Sequence, residues 1–312
     1  MSWNLAPTPP HALLRPAIAV PFILVALIWG STWLVIKDQL AAAPPSWSVA
    51  YRFTIASVGM FLLAAFLKDR RGFSMTFGGH VMAFLIGMTQ FFLNFNFVYR
   101  AEIHLTSGIV AVLFGLLLVP NALFGRLFIG VPVTARFVFG SLVGLAGIAL
   151  LLKHEADLAT LDSTVWLGVI YAAFGLLCAS LANVLQATET ASRRPLLILL
   201  AWAMFWGALA DMIFAWIVAG PPVFPHSLRY WGAVGYLGLI GSVITFPLYF
   251  GLIRTLGPGR AAYNGVVVPV VAMALSTLFE GYRWSLLSAA GAALALAGMF
   301  IALRAKNVPP VP

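Results

Sequence analysis

Charge is what this sequence has least of. Only 9 % of the 312 residues are Asp, Glu, Lys or Arg, against roughly 25 % in an ordinary soluble domain. A soluble chain of this length has far more polar surface to present than that composition supplies, so a water-soluble globule is excluded. One cysteine, Cys178, rules out any intrachain disulfide and any thiolate metal cluster, and it reads as a small packing residue. The five histidines, at 11, 80, 104, 154 and 226, show no ligand spacing, so no metal site is expected. There is no GxxxxGK[ST], no HExxH and no nucleophile paired with a base. The chain therefore reads as neither an ATPase nor any other enzyme, and no cofactor is implied.

What is present is hydrophobic length: 62 % of residues are apolar and the mean hydropathy is +0.99. A hydrocarbon core of about 30 Å needs about 20 apolar helical residues, and ten such runs can be read: 17–36, 46–67, 80–99, 103–124, 135–152, 164–188, 195–219, 229–253, 260–279 and 284–303. The connectors (AAAPPS, KDRRGF, RAE, RLFIGVP, KHEADLATLD, SRRP, GPPVFPHS, RTLGPG, EGYR) are too short to fold alone. The first run is long, lacks a small-residue cleavage site and is followed by nine more, so it is expected to stay as a permanent span.

The net charge of +9 would suggest nucleic acid in a soluble protein, but here its distribution sets topology. With the N-terminus inside, twelve basic residues fall on inner segments and five on outer ones (Lys37, Arg100, Lys153, Arg229, Arg283). The excess of inner charge places both termini in the cytoplasm.

An offset of 151 residues overlays LFIGVPVTARFVFGSLVGLAGIALLLK (127–153) on LFEGYRWSLLSAAGAALALAGMFIALR (278–304) without a gap. Gly130, Gly140 and Gly147 then meet Gly281, Gly291 and Gly298, a pattern that favours duplication. Each half has five spans, an odd number, so the copies enter the membrane from opposite sides, the plan of many secondary transporters with a midplane site between the halves. The expected organisation is an N-terminal cytoplasmic tail (1–16), a first five-helix repeat (17–153), a connecting loop (154–163), a second repeat (164–304) and a C-terminal tail (305–312). The fold class is all-α and integral to the membrane, ten helices in two inverted repeats around a central cavity.

The opening IWGSTWLVIK, the LF(I/E)G turn after spans four and nine, the glycine-rich spans five and ten and Pro269 together resemble the EamA-type drug/metabolite transporter superfamily over about residues 20 to 304, most closely its YddG-type amino-acid exporters. The resemblance implies a bacterial inner-membrane exporter of aromatic and other neutral amino acids. Two departures stand out: Ile129 replaces the acidic residue that the second turn keeps as Glu280, and Pro120 is two positions out of register with Pro269, so the fourth span need not bend like the ninth.

Ionisable groups inside a span are costly and are functional candidates by default. Arg52 either meets a substrate carboxylate or snorkels to the outer interface. Asp211 is either a proton-coupling carboxylate or a structural acceptor between helices. Gln90 and Asn94 (i, i+4) and Asn183 and Gln186 (i, i+3) each share a helix face. Ser242, Thr245 and Tyr249 form a third stripe, and Tyr263 and Asn264 open the ninth span. Amides and hydroxyls of this kind read an amino group and a carboxylate, or hold helices together. Trp29 and Trp33 share a face with Lys37, a side ill suited to lipid tails; Trp29 is the better cavity candidate, since Trp33 also suits the outer interface. Gly140, Gly144 and Gly147, with Gly291, Ala295 and Gly298, form small-residue faces for packing between spans or between protomers.

The leading expectation is therefore an alternating-access exporter of amino acids, working in the lipid bilayer without nucleic acid. The alternative is efflux of lipophilic or cationic drugs and metabolites such as methyl viologen. Coupling to protons and oligomeric state stay open at this point.

Overall fold

The structure, a computed structural model, describes residues 15–67, 74–130, 133–158, 164–256 and 264–303. Among these, seven helices are long and apolar enough to cross a membrane: α1 (Pro16–Gln39), α2 (Pro45–Phe66), α3 (Phe77–His104), α4 (Ser107–Phe128), α6 (Thr164–Ala187), α7 (Leu196–Ala219) and α8 (Leu228–Leu252). Three shorter apolar helices, α5 (Ala135–Leu151), α9 (Asn264–Phe279) and α10 (Leu286–Ala302), accompany them. Exposed Ile23, Leu62, Phe139, Ile170, Ile213 and Ile217 give the bundle an apolar outer surface fit for hydrocarbon.

The helix ends follow local chemistry. Pro16 and Pro45 open α1 and α2, where the missing N–H has no intrahelical partner to lose. Thr76 and Ser227 cap α3 and α8 by accepting from the N–H of Gly79 and Tyr230. Gly130 and Gly281, which close the two LF(I/E)G turns, share left-handed φ values of 76° and 69°, a backbone region that admits glycine without a Cβ clash.

Two expectations change. The stretch RAE does not separate spans three and four: helix continues to His104, and the chain turns at Leu105 in an extended conformation (φ −126°). Helix α4, in turn, is interrupted at Leu116–Leu117, one turn before Pro120, which has no N–H to offer the Leu116 carbonyl. Helix α9 runs through Pro269 without a break.

Helices α3 and α8 each widen into a π-helical stretch, Gly87–Asn94 and Tyr236–Ile244. Such insertions occur often at functional sites, because they re-aim side chains on a rigid rod. The side chains of Ser242 and Thr245 bond carbonyls five residues back, at Leu237 (2.9 Å) and Ile240 (2.5 Å), as the widened turn requires.

The glycine faces are used within one chain. A Cβ on Gly147 would lie 2.3 Å from the Ala295 nitrogen, and one on Gly298 2.1 Å from the Gly144 nitrogen. Helices α5 and α10 therefore approach backbone to backbone, which only small residues permit.

Candidate functional site

A cavity of ≈ 180 Å³ lies between the helices, lined from α1, α2, α3, α4, α6, α8 and α9. Its walls are mostly aromatic and aliphatic. Trp29 packs against Tyr249 (centroids 4.9 Å) and Phe246 (5.5 Å), and its indole N–H donates to the Gly241 carbonyl at 3.2 Å. Trp33, also in the lining, packs on Phe114 at 5.1 Å rather than standing at the interface. Thr32 spends its hydroxyl on the Trp29 carbonyl, 2.7 Å away.

Arg52 is the single charged residue among the described lining residues. The guanidinium is 1 % exposed, so it points inward and does not snorkel. Its carbon lies 4.3 Å from the centre of the Phe95 ring and 5.2 Å from that of Phe53, contacts that orient a planar cation. Neither Nε nor Nη1 has a hydrogen-bond partner, while the guanidinium is hydrogen-bonded to Tyr99 and lies within electrostatic reach of the buried Glu102. A buried cation left with free donors is a costly arrangement unless something supplies acceptors.

The amides gather around the same space. Gln90 and Asn94 both line it, from the π-helical part of α3; Asn94 donates to the Gln90 carbonyl at 3.3 Å and leaves its own Oδ1 buried without a partner. Asn183 reaches Asn121 Oδ1 at 3.4 Å. Asn264, the first residue of α9, donates to the Phe22 carbonyl at 2.9 Å and likewise keeps a free Oδ1. Trp29, Arg52, Gln90, Asn94, Asn183, Tyr249 and Asn264 thus surround one cavity.

Three expected residues do not join them. Gln186 is half-buried on α6, about one turn beyond Asn183 and outside the lining. Tyr263 lies outside the described residues. Asp211 is fully buried between α7 and α3, where Asn96 Nδ2 donates to it at 2.6 Å. Arg100 Nη1 donates to Asn96 Oδ1 at 3.2 Å, so Asp211 ends a polar network that ties α3 to α7 away from the cavity.

The cavity stops at Ile36, Arg52 and Val98 on the side where α1 ends, and reaches Asn264 on the side where α9 begins. Beyond Ile36, Arg52 and Val98 lies a polar layer that sequence reading missed. Lys37 Nζ donates to the Glu102 carbonyl and, at 2.9 Å, to the Leu105 carbonyl. Tyr99 donates to Gln39 Oε1 at 3.0 Å. Glu102 is fully buried, with both carboxyl oxygens free of hydrogen bonds. One signal was available: Glu102 stands four residues after Val98 and eight after Asn94, on the cavity face of α3.

An interior cavity in an apolar helical bundle, with one cation and several amides, defines a membrane transport protein that handles a small molecule. The EamA-like transporter family matches this chain twice, over residues 17–153 and 166–304, and the chain belongs to that family. It is 31 % identical over 270 residues to an uncharacterized inner membrane transporter, YedA, of Escherichia coli, covering 86 % of this chain and 84 % of the relative. It is 24 % identical to the protein PagO of Salmonella typhimurium (95 % of each chain) and 22 % identical to a probable amino-acid metabolite efflux pump of Escherichia coli (89 % of this chain, 92 % of the relative). A solved crystal structure with 22 % identity superposes with a TM-score of 0.65 over 91 % of this chain and 95 % of its own, a likeness of fold.

Proposed function

We propose that the protein is a secondary transporter that exports aromatic and other neutral amino acids across the bacterial inner membrane by alternating access. Ten membrane-crossing helices form two inverted five-helix repeats, residues 17–153 and 164–304, with both termini cytoplasmic. The observation that carries the reading is the pair of unmet groups in one cavity, donors on Arg52 and an acceptor on Asn94. A zwitterion answers both, its carboxylate at the guanidinium and its ammonium at the amide oxygen. Trp29 and Tyr249 then face its side chain, where burial gains about 25 cal/mol per Å² of apolar area. Gln90, Asn183 and Asn264 supply further neutral contacts. The relative named a probable amino-acid metabolite efflux pump adds support.

Efflux of cations such as methyl viologen fits less well, since the described lining holds a cation and no carboxylate. The test is uptake of labelled phenylalanine, threonine and lysine into proteoliposomes, with and without a proton gradient. Saturable, stereoselective flux of phenylalanine or threonine is expected. Its absence for every amino acid, in correctly inserted protein, rejects the reading.

A further inference from the structure

The cavity treats the two ends of an amino acid unequally. The described lining holds one full cation, Arg52, buried, held against Phe95 and Phe53 and hydrogen-bonded to Tyr99, with two nitrogens free. The other unmet groups of the lining are neutral oxygens, Oδ1 of Asn94 and of Asn264, and no carboxylate occurs among the described lining residues; Glu102, which acts on Arg52 electrostatically, lies outside the lining. A carboxylate at Arg52 makes bonds in which both partners are charged, whereas an ammonium at Asn94 makes bonds in which one is. Both contacts are charge-assisted, but only the first sets two opposite full charges against each other in a poorly screened interior, and leaving a buried charge unanswered costs more than leaving an amide oxygen unanswered. An amine without a carboxylate forfeits the larger contribution and also brings a second positive charge close to a buried Arg52, where screening of their repulsion is weaker than in bulk water.

We infer that this is a carboxylate site before it is an amino-acid site: it binds apolar and aromatic monocarboxylates that have no amino group, and it rejects the corresponding amines. The aromatic wall formed by Trp29, Phe246 and Tyr249 suits the hydrocarbon part of such acids as well as it suits an amino-acid side chain. This inference rests on the proposal that the cavity is the substrate site, but it does not need the substrate to be an amino acid.

Three compounds separate the possibilities, because 3-phenylpropanoate is phenylalanine without its amino group and phenethylamine is phenylalanine without its carboxylate. Equilibrium binding of labelled 3-phenylpropanoate and, separately, of labelled phenylalanine to the purified full chain, each competed by the other and by phenethylamine, is the experiment. Phenylalanine and 3-phenylpropanoate are expected to bind within about tenfold of each other, with phenethylamine at least about tenfold weaker than either. Arg52→Gln is expected to weaken 3-phenylpropanoate by about tenfold or more. The wild-type competition decides even where that variant fails to fold. Phenethylamine binding as well as 3-phenylpropanoate overturns the inference, as does binding of phenylalanine without binding of 3-phenylpropanoate. Binding of 3-phenylpropanoate without phenylalanine upholds it while removing the amino-acid reading; binding of neither overturns both.

Discussion

Glu280 reaches across from the end of α9 to the first residue of α4: its carboxylate accepts from the backbone N–H of Ser107 at 3.3 Å and from the Ser107 hydroxyl. An anion at a helix N-terminus satisfies free N–H groups and meets the positive end of the helix dipole. Ile129, at the matching position of the first turn, has no carboxylate to do the same on the opposite face. The contact therefore belongs to one end of the bundle only, the end toward which the cavity lining stops at Ile36, Arg52 and Val98.

Replacing Glu280 should loosen that end. Loss of a cap costs about 1 kcal/mol, a factor of about five in a conformational equilibrium. With Cys178→Ala as background and Val98→Cys as reporter at the end of the cavity lining nearest Ser107, Glu280→Ala should raise labelling by an impermeant thiol reagent added on the Ser107 side of the membrane by about fivefold. Unchanged labelling would show that Glu280 does not hold that end together.

Lys37 secures the other side of the same corner, through the carbonyls of Glu102 and Leu105 at the end of α3, where a cation complements the helix dipole. Lys37→Met removes these donors and leaves Glu102 with one fewer neighbouring cation, so it should lower stability by about 2 kcal/mol. Lys37→Arg should recover most of that loss. Thermal unfolding of the purified variants checks both, and equal melting of Lys37→Met and wild type would remove the role.

Asp211 offers a contrast. Its hydrogen bond from Asn96 needs only an acceptor, and an asparagine oxygen supplies one. Asp211→Asn should keep flux within about twofold and leave any response to a proton gradient unchanged, whereas Asp211→Leu, which leaves one of the two Asn96 amide N–H groups unanswered while the other stays on the Phe92 carbonyl, should destabilise by about 1–3 kcal/mol. Loss of gradient dependence in Asp211→Asn with flux retained would return the coupling role to this residue.

Close packing between α5 and α10 sets a fourth expectation. Gly147→Val puts a side chain where the Ala295 backbone already lies and should cost about 1–3 kcal/mol or abolish folding. Gly232→Ala meets nothing within 4 Å and should be neutral or stabilising, by up to about 1 kcal/mol. Comparable melting of the two variants would contradict this account of the glycine faces.

Much of this architecture can be read in the sequence, for identifiable reasons. Hydropathy marks the helices because lipid demands long apolar runs, and the glycine spacing marks α5 and α10 because backbones in contact tolerate nothing larger. Arg52, Gln90 and Asn94 stand out as polar groups where polarity is costly. Glu102 was hidden because charges near the end of a hydrophobic run look like a connector; only the course of α3 to His104 puts its carboxyl indoors. Asp211 could not be paired with Asn96 in advance, since the two lie 115 positions apart on helices whose relative rotation no local pattern gives. Gln186 lies outside the lining although it shares a face with Asn183, because periodicity assigns a helix face without saying how far along the helix a cavity extends.

The most direct measurement is counterflow of labelled phenylalanine in proteoliposomes preloaded with unlabelled phenylalanine, for wild type and Arg52→Gln matched for insertion and melting temperature. A site anchored on Arg52 predicts robust wild-type exchange and a loss of about tenfold or more in the variant at low substrate concentration. Equal exchange by the two proteins would contradict the claim that the buried guanidinium recognises the substrate.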